Sequence, residues 1–228
     1  MINIKVLYED NHVIAVVKPA GVLSQADKTG DVSMFDEVKT YIKEKYQKPG
    51  NAFLGLVHRL DRPVYGIMLF AKTSKGASRL SEQFRNHQIE KTYQAIVVGK
   101  PTQNKGVLIN NLIKDERLHK ARPAAADSYG VAKEAKLYYE VLKSNGKFSL
   151  LKIQIEGGKF HQIRSQLSLA GFPILGDVKY KAKESLLEGN IALCATGISF
   201  RQPTGEEIIK LEIEIPSEWQ KYLSTGGA

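Results

Sequence analysis

A single cysteine, Cys194, excludes a disulfide within the chain and any cysteine-rich zinc site. It sits in an apolar, strand-like run, where a small buried side chain is the ordinary role and a reactive thiol the exception. No apolar run approaches the ~18 residues of a membrane span. The N-terminus carries no basic region followed by a long apolar stretch, so no secretory signal is visible. These absences predict a cytoplasmic, soluble protein with no membrane partner. Internal repeats, low-complexity tracts and long linkers are also missing, and the reading is a single domain over residues 1–228, acting as a monomer.

What is present is a surplus of positive charge. Thirty-three Lys and Arg against 24 Asp and Glu leave a net charge of +9, which suits a polyanion such as nucleic acid. A merely soluble basic surface explains the same number equally well. Hydrophobic content of 43% and charged content of 25% are ordinary for a globular chain, and 228 residues bury a sizeable core.

Strand signals dominate. Val13–Val17 is an apolar run stopped by Lys18-Pro19-Ala20-Gly21, a turn signature. Residues 90–98, 135–142, 148–155, 191–200 and 207–215 read as strands. Leu151, Ile153 and Ile155 alternate with Lys152, Gln154 and Glu156; Ile209, Leu211, Ile213 and Ile215 alternate with Lys210, Glu212 and Glu214. Alternation of this kind belongs to antiparallel strands with one wet face. Helices are predicted over 33–46, over 74–87 behind a Ser74 cap, and over 161–170, where Ile163, Leu167 and Ala170 share a face and Gly171 stops the chain. The fold class is therefore α+β, with a mixed, mainly antiparallel central β-sheet and flanking helices and loops. Pro101–Gly106 and Lys114–Gly130 read as loops. The second carries Lys114, Arg117, His119, Lys120 and Arg122, which suits either a mobile arm closing on phosphates or an ordinary solvated loop.

The most informative stretch runs from Leu56 to Lys72. Two apolar runs flank the polar segment His58-Arg59-Leu60-Asp61-Arg62-Pro63, an arrangement that presents side chains on a loop held by strands. Asp61 is the only acid there, so acid, base or nucleophile chemistry falls to it. An aspartate before a turn is also a common cap for local backbone N–H groups, and spacing alone favours that structural role. Pro63 holds Arg62 extended and stiffens the loop.

The string itself resembles the signature of the RluA-type pseudouridine synthases: His-Arg-Leu-Asp, a few variable residues, Gly, an apolar run, then Ala-Lys. Here it is His58-Arg59-Leu60-Asp61, Gly66, and Ile67-Met68-Leu69-Phe70-Ala71-Lys72. Further blocks follow in family order. Val17-Lys18-Pro19-Ala20-Gly21 is similar to the first motif, Glu90-Lys91-Thr92-Tyr93 to the Lys-x-Tyr strand, and Gly158-Lys159-Phe160-His161-Gln162-Ile163-Arg164 to the Gly-x-x-His-Gln-Ile-Arg block. Pro173-Ile174-Leu175-Gly176-Asp177 and Leu193-Cys194-Ala195 complete a resemblance that covers roughly residues 6–215. The family's frequent extra N-terminal RNA-binding domain is expected to be absent, because the first motif begins within the opening 20 residues.

The resemblance implies an isomerase acting on uridine in ribosomal or transfer RNA, with no cofactor and no metal. Asp61 would be the catalytic carboxylate and Arg164 its ion-pair partner. Read from its helix alone, Arg164 is equally a surface arginine. Tyr93 would stack on the loose base, against the default of a core tyrosine, and Leu193 would line the other wall of the pocket or simply fill the core. Arg59, Arg62, Lys159 and His161 would lie near RNA phosphates or flanking nucleotides, while His58 reads as structural. Departures from the family are local: Pro63-Val64-Tyr65-Gly66 stands where Asp-Thr-Ser-Gly is common, so Val64 and Tyr65 replace two small hydroxyl residues; Lys159-Phe160 stands where Arg-Thr is frequent, and Cys194 where a His often sits. Two other readings stay open, an RNA-binding protein on this fold with little or no isomerase activity and a metal-dependent hydrolase using His58, Asp61 and His161.

Overall fold

Alternating and apolar segments become strands almost everywhere they occur in the computed structural model, which describes residues 3–47, 49–124 and 132–224. In chain order the elements are β1 (Lys5–Glu9), β2 (Val13–Lys18), α1 (Met34–Lys45), β3 (Gly55–Leu56), β4 (Tyr65–Ala71) and α2 (Ser74–Arg85). They continue with β5 (Glu90–Val98), β6 (Lys105–Asp115), β7 (Lys120–Pro123), β8 (Lys133–Ser144), β9 (Phe148–Glu156) and α3 (Gln162–Leu169). The last are β10 (Leu193–Arg201), β11 (Ile208–Glu212) and α4 (Gln220–Leu223). The chain divides into two units, the first made of Met1–Glu90 with Ala195–Ile213, the second of Lys91–Cys194 with Glu214–Ala228.

In the first unit β2 pairs antiparallel with β1 and β4, and β10 with β11. All six residues of β2 are buried, which explains an apolar run without alternation: both faces are covered. Val13, Ala15, Ile67, Leu69 and Leu80 meet Ile198, Phe200 and Ile209 in one core, so the segment from 195 onward returns to pack against the opening strands. Ser33 caps α1, its hydroxyl accepting from the Asp36 amide. The second helix is capped by Thr73 rather than the predicted Ser74; Thr73 Oγ1 accepts from Gly76 N at 3.1 Å, and the cap lies one residue before the helical dihedrals begin.

A buried charge network ties α1 to the strands. Glu9 accepts from Lys72 at 2.6 Å, Lys45 at 2.6 Å and Tyr46 Oη at 2.7 Å, and Lys72 also donates to the Asp10 carbonyl. Burial pushes the Glu9 carboxyl up, but the bonds from Lys45, Lys72 and Tyr46 outweigh it and hold the group at about 2. Because the folded value lies below the unfolded one, this contribution is fully present above about pH 4.5 and is lost as pH falls toward 2. Glu9→Gln is expected to cost about 2 kcal/mol at neutral pH, after solvent screening, and to flatten the acid limb of a stability–pH curve. Chemical denaturation at pH 7 and pH 3 checks both.

In the second unit the order β5-β9-β8-β6-β7 is antiparallel at every step. Leu151 and Ile153 of β9 are buried while Lys152 and Gln154 are exposed, as their alternation predicts. The helix α3 packs on β6, β7 and β8 and is buried from Gln162 to Leu167, so Arg164 is a core residue and not a surface one.

The predicted basic loop is corrected in part. Its first half is a hairpin, with Leu112–Asp115 paired to Lys120–Pro123, and Tyr180 Oη holds the Ala121 amide at 2.7 Å. Asp115 closes the turn by accepting from Leu118 N and Arg122 Nε. The second strand, β7, has four residues, too few for alternation to show in the sequence. Residues 125–130 of the predicted arm lie outside the described residues. Among the described residues no helix is long and apolar enough to cross a membrane.

Candidate active site

Asp61 sits on the loop between β3 and β4, and that loop is clamped from several sides. Leu60 is buried; its amide donates to Ser24 Oγ at 3.1 Å and its carbonyl accepts from the same hydroxyl at 2.5 Å. The Asp61 carbonyl accepts from Val64 N at 3.0 Å, closing the turn that contains Pro63. Arg62 lends its carbonyl to Gly21 N, while its Nε donates back to Gly21 O at 2.9 Å and its guanidinium pairs with Asp31 on the surface. Gly66 follows at φ 138°, and a Cβ there would stand 2.5 Å from the backbone N and O of Ala195. Only glycine lets β4 pass that close to β10.

Under this loop lies Lys18, with no exposed surface. Its ammonium donates to the carbonyls of Val22 at 2.8 Å, Pro19 at 2.9 Å and Arg62 at 3.0 Å. Burial pushes it down to about 7, with the attraction of Asp61 opposing and the charge of Arg62 assisting. A buried cation thus holds the loop and sits within Coulombic reach of Asp61. Lys18 was not among the predicted site residues, although one lysine at the end of an apolar run and before Pro19 is an unusual placement that would have singled it out.

His58 proves structural. Its Nε2 accepts from Leu69 N at 2.9 Å and its ring stacks on Phe84 at 4.9 Å. Arg59 is exposed and half-buried Asp61 follows Leu60.

The second unit holds the other predicted residues. Tyr93 lies on β5 opposite Ile153 and is 9% exposed, and Leu193 opens β10 at 3%. Arg164 makes a two-pronged ion pair with Asp177, Nε to Oδ2 at 2.7 Å and the second guanidinium nitrogen to Oδ1 at 2.9 Å. Both side chains are buried. The third nitrogen lies 3.1 Å from His161 Nε2, and the guanidinium stacks over Tyr180. A guanidinium accepts nothing, so Nε2 of His161 is the acceptor and its proton is assigned to Nδ1, which faces Tyr180 Oη at 2.9 Å. His161 is therefore a neutral spacer between Tyr180 and Arg164. Asp177 was also absent from the predicted residues. Gly176 before it has φ 87°, and a Cβ there would meet Asn190 O at 2.6 Å, so the Gly-Asp pair is built as a tight turn that delivers the carboxylate.

The remaining positions are peripheral to these networks. Lys159 is half-buried, its amide bonded to Gln162 Oε1, and Phe160 beside it is exposed. Cys194 is buried and its thiol is pushed up to about 12 by desolvation, which removes it as a nucleophile. Among the described residues no three His, Cys, Asp or Glu side chains gather as metal ligands would. Nε2 of His58 and both nitrogens of His161 are engaged within the protein.

Comparison with known proteins gives a consistent result. Residues 12–169 match the family described as RNA pseudouridylate synthase. Ribosomal large subunit pseudouridine synthase C of Rickettsia typhi is 34% identical over 96% of this chain and 70% of its own length. A Bacillus subtilis protein described as the uncharacterized RNA pseudouridine synthase YhcT is 31% identical over 98% of this chain and 72% of its own. In fold, the chain superimposes on human RNA pseudouridylate synthase domain containing 4 with a TM-score of 0.78 at 24% identity, covering 95% of this chain and 90% of that one.

Proposed function

The chain belongs to the RNA pseudouridylate synthase family and is an RNA-modifying isomerase; from that premise we propose that Asp61 carries the chemistry and that the substrate is a uridine in a loop of ribosomal RNA. Conversion of uridine to pseudouridine breaks the N1–C1′ bond, turns the base and joins C5 to C1′. Nothing is oxidised and no group arrives from outside, so a carboxylate, a surface for the loose base and a positive environment suffice. The target must leave its stack at a cost of a few kcal/mol, which a loop lowers.

Asp61 acts at the sugar, by attack at C1′ or by proton removal at C2′. The observation that supports it is the construction of its loop: Ser24 holds Leu60, Lys18 and Gly21 hold Arg62, Gly66 passes close to Ala195, and a buried cation is spent there. Tyr93 offers its ring to the base, worth ~1–3 kcal/mol, with Leu193 as a second wall. Arg164, oriented by Asp177 and His161, is the buried guanidinium that the second unit offers to the substrate. Arg59, Arg62 and Lys159 meet phosphates, whereas His161 serves Arg164 and carries no charge to the RNA. The ribosomal assignment follows the relatives named above, transfer RNA being the other candidate, and a cytoplasmic location follows from that substrate.

Incubating the purified protein with large-subunit ribosomal RNA and with transfer RNA, in a chelator and without added cofactor, tests the proposal. Pseudouridine at a discrete site in the ribosomal RNA is expected by mass spectrometry after carbodiimide labelling, which adds mass to pseudouridine and, after alkaline treatment, not to uridine. RNA binding with no product in either RNA would favour the RNA-binding alternative.

A further inference from the structure

The turn that precedes α3 carries an exposed aromatic with no part in the chemistry above. Phe160 is 37% exposed, although a large apolar side chain next to a buried ion pair gains by being covered. One face of its ring lies flat on the His161 imidazole, with centroids 3.9 Å apart and planes 15° from parallel. The His161 backbone is left-handed at φ 49°, which sets this turn, and its ring is fixed in turn by Tyr180 and Arg164. Phe160 is therefore a rigid plate. Lys114 of β6 stands over the ring, its ammonium 5.2 Å from the centroid, and pairs with Glu116 at the surface. Both partners of that pair are well exposed, so the contact over the ring is weak and easily displaced. Lys159 is the preceding residue.

A fixed aromatic plane, open to solvent and bordered by two lysines, matches what an unpaired nucleobase with its phosphate requires: a π-face and nearby cations. We propose that Phe160 is a stacking platform for a nucleotide flanking the target uridine, with Lys114 displaced from the ring toward that nucleotide's phosphate and Lys159 on its other side. The inference rests on the functional reading above in taking the ligand to be RNA. Phe160 is a specificity-determining residue and not a catalytic one. A base stacked on it reaches no reacting atom, but it orders the strand next to the uridine.

The test is a binding cycle with fluorescently labelled single-stranded RNA containing one uridine, in intact form and with an abasic site at either flanking nucleotide. Native protein, Phe160→Leu and Phe160→Trp are compared by anisotropy, with unfolding midpoints measured alongside. Leucine keeps an apolar cover over His161 but offers no ring. The expected result is that Phe160→Leu weakens intact RNA about tenfold, that Phe160→Trp binds as native, and that one abasic probe binds native protein and Phe160→Leu equally. Equal loss on intact and both abasic probes, or no loss at all, would overturn the platform. So would a fall in kcat with unchanged affinity, because that would make Phe160 a mere shield for Arg164. If the coupling is found while no uridine in cellular RNA is isomerised, the functional reading fails and the platform stands.

Discussion

Asp177→Ala is expected to destabilise the protein by ~3–5 kcal/mol, the range typical when one member of a buried pair is removed. Asp177 is 1% exposed and Arg164 5%, and the carboxylate takes two of the guanidinium nitrogens at 2.7 and 2.9 Å. A charge desolvated to that degree relies on the counter-charge bonded to it, and alanine replaces that carboxylate with a methyl group. The variant should show a lower denaturant midpoint with an unchanged slope, because the surface exposed on unfolding is the same. It should also lose activity under conditions where it is still folded, since the guanidinium loses the two bonds that fix its plane. Wild-type stability in Asp177→Ala would mean that the pair contributes little to the second unit.

Much of this architecture was legible because it depends on local periodicity. Leu151 and Ile153 alternate with Lys152 and Gln154 over β9, and the burial follows the same alternation. Gly171 ended α3 as read. The apolar run Val13–Val17 was recognisable as a strand, but not the reason for its lack of alternation, which is cover on both faces from neighbours far along the chain. The return of residues 195–213 to the opening strands is a long-range pairing that no window of sequence contains. The hairpin at β7 was missed because four residues with two charged side chains resemble a loop.

The site shows the same division. Asp61 stood out as the one acid of its loop, and the family resemblance sharpened its role. Lys18 and Asp177 each lie inside a block that resembles the family, but lysine and aspartate are usually solvated, so residue type alone does not mark them as buried. The positions flanking them carry the trace: Pro19 after one, and the constrained Gly176 before the other.

The central claim concerns one carboxylate. Asparagine at position 61 keeps the size of the side chain and removes its charge, so neither attack at C1′ nor proton removal at C2′ remains open. A loss of more than about a thousandfold in turnover is expected, at the upper end of what a single acid–base or nucleophilic group supplies. Fold and RNA affinity should survive, because Ser24 and Gly66 hold the loop without using the carboxylate. Lys18 would feel the change: Asp61 now opposes the effect of burial on that ammonium, and its removal would let the lysine lose its proton at still lower pH. The deciding measurement is single-turnover pseudouridine formation by Asp61→Asn beside its RNA dissociation constant. The account predicts affinity within a few-fold of native and no detectable product; product formed at a native rate would contradict it.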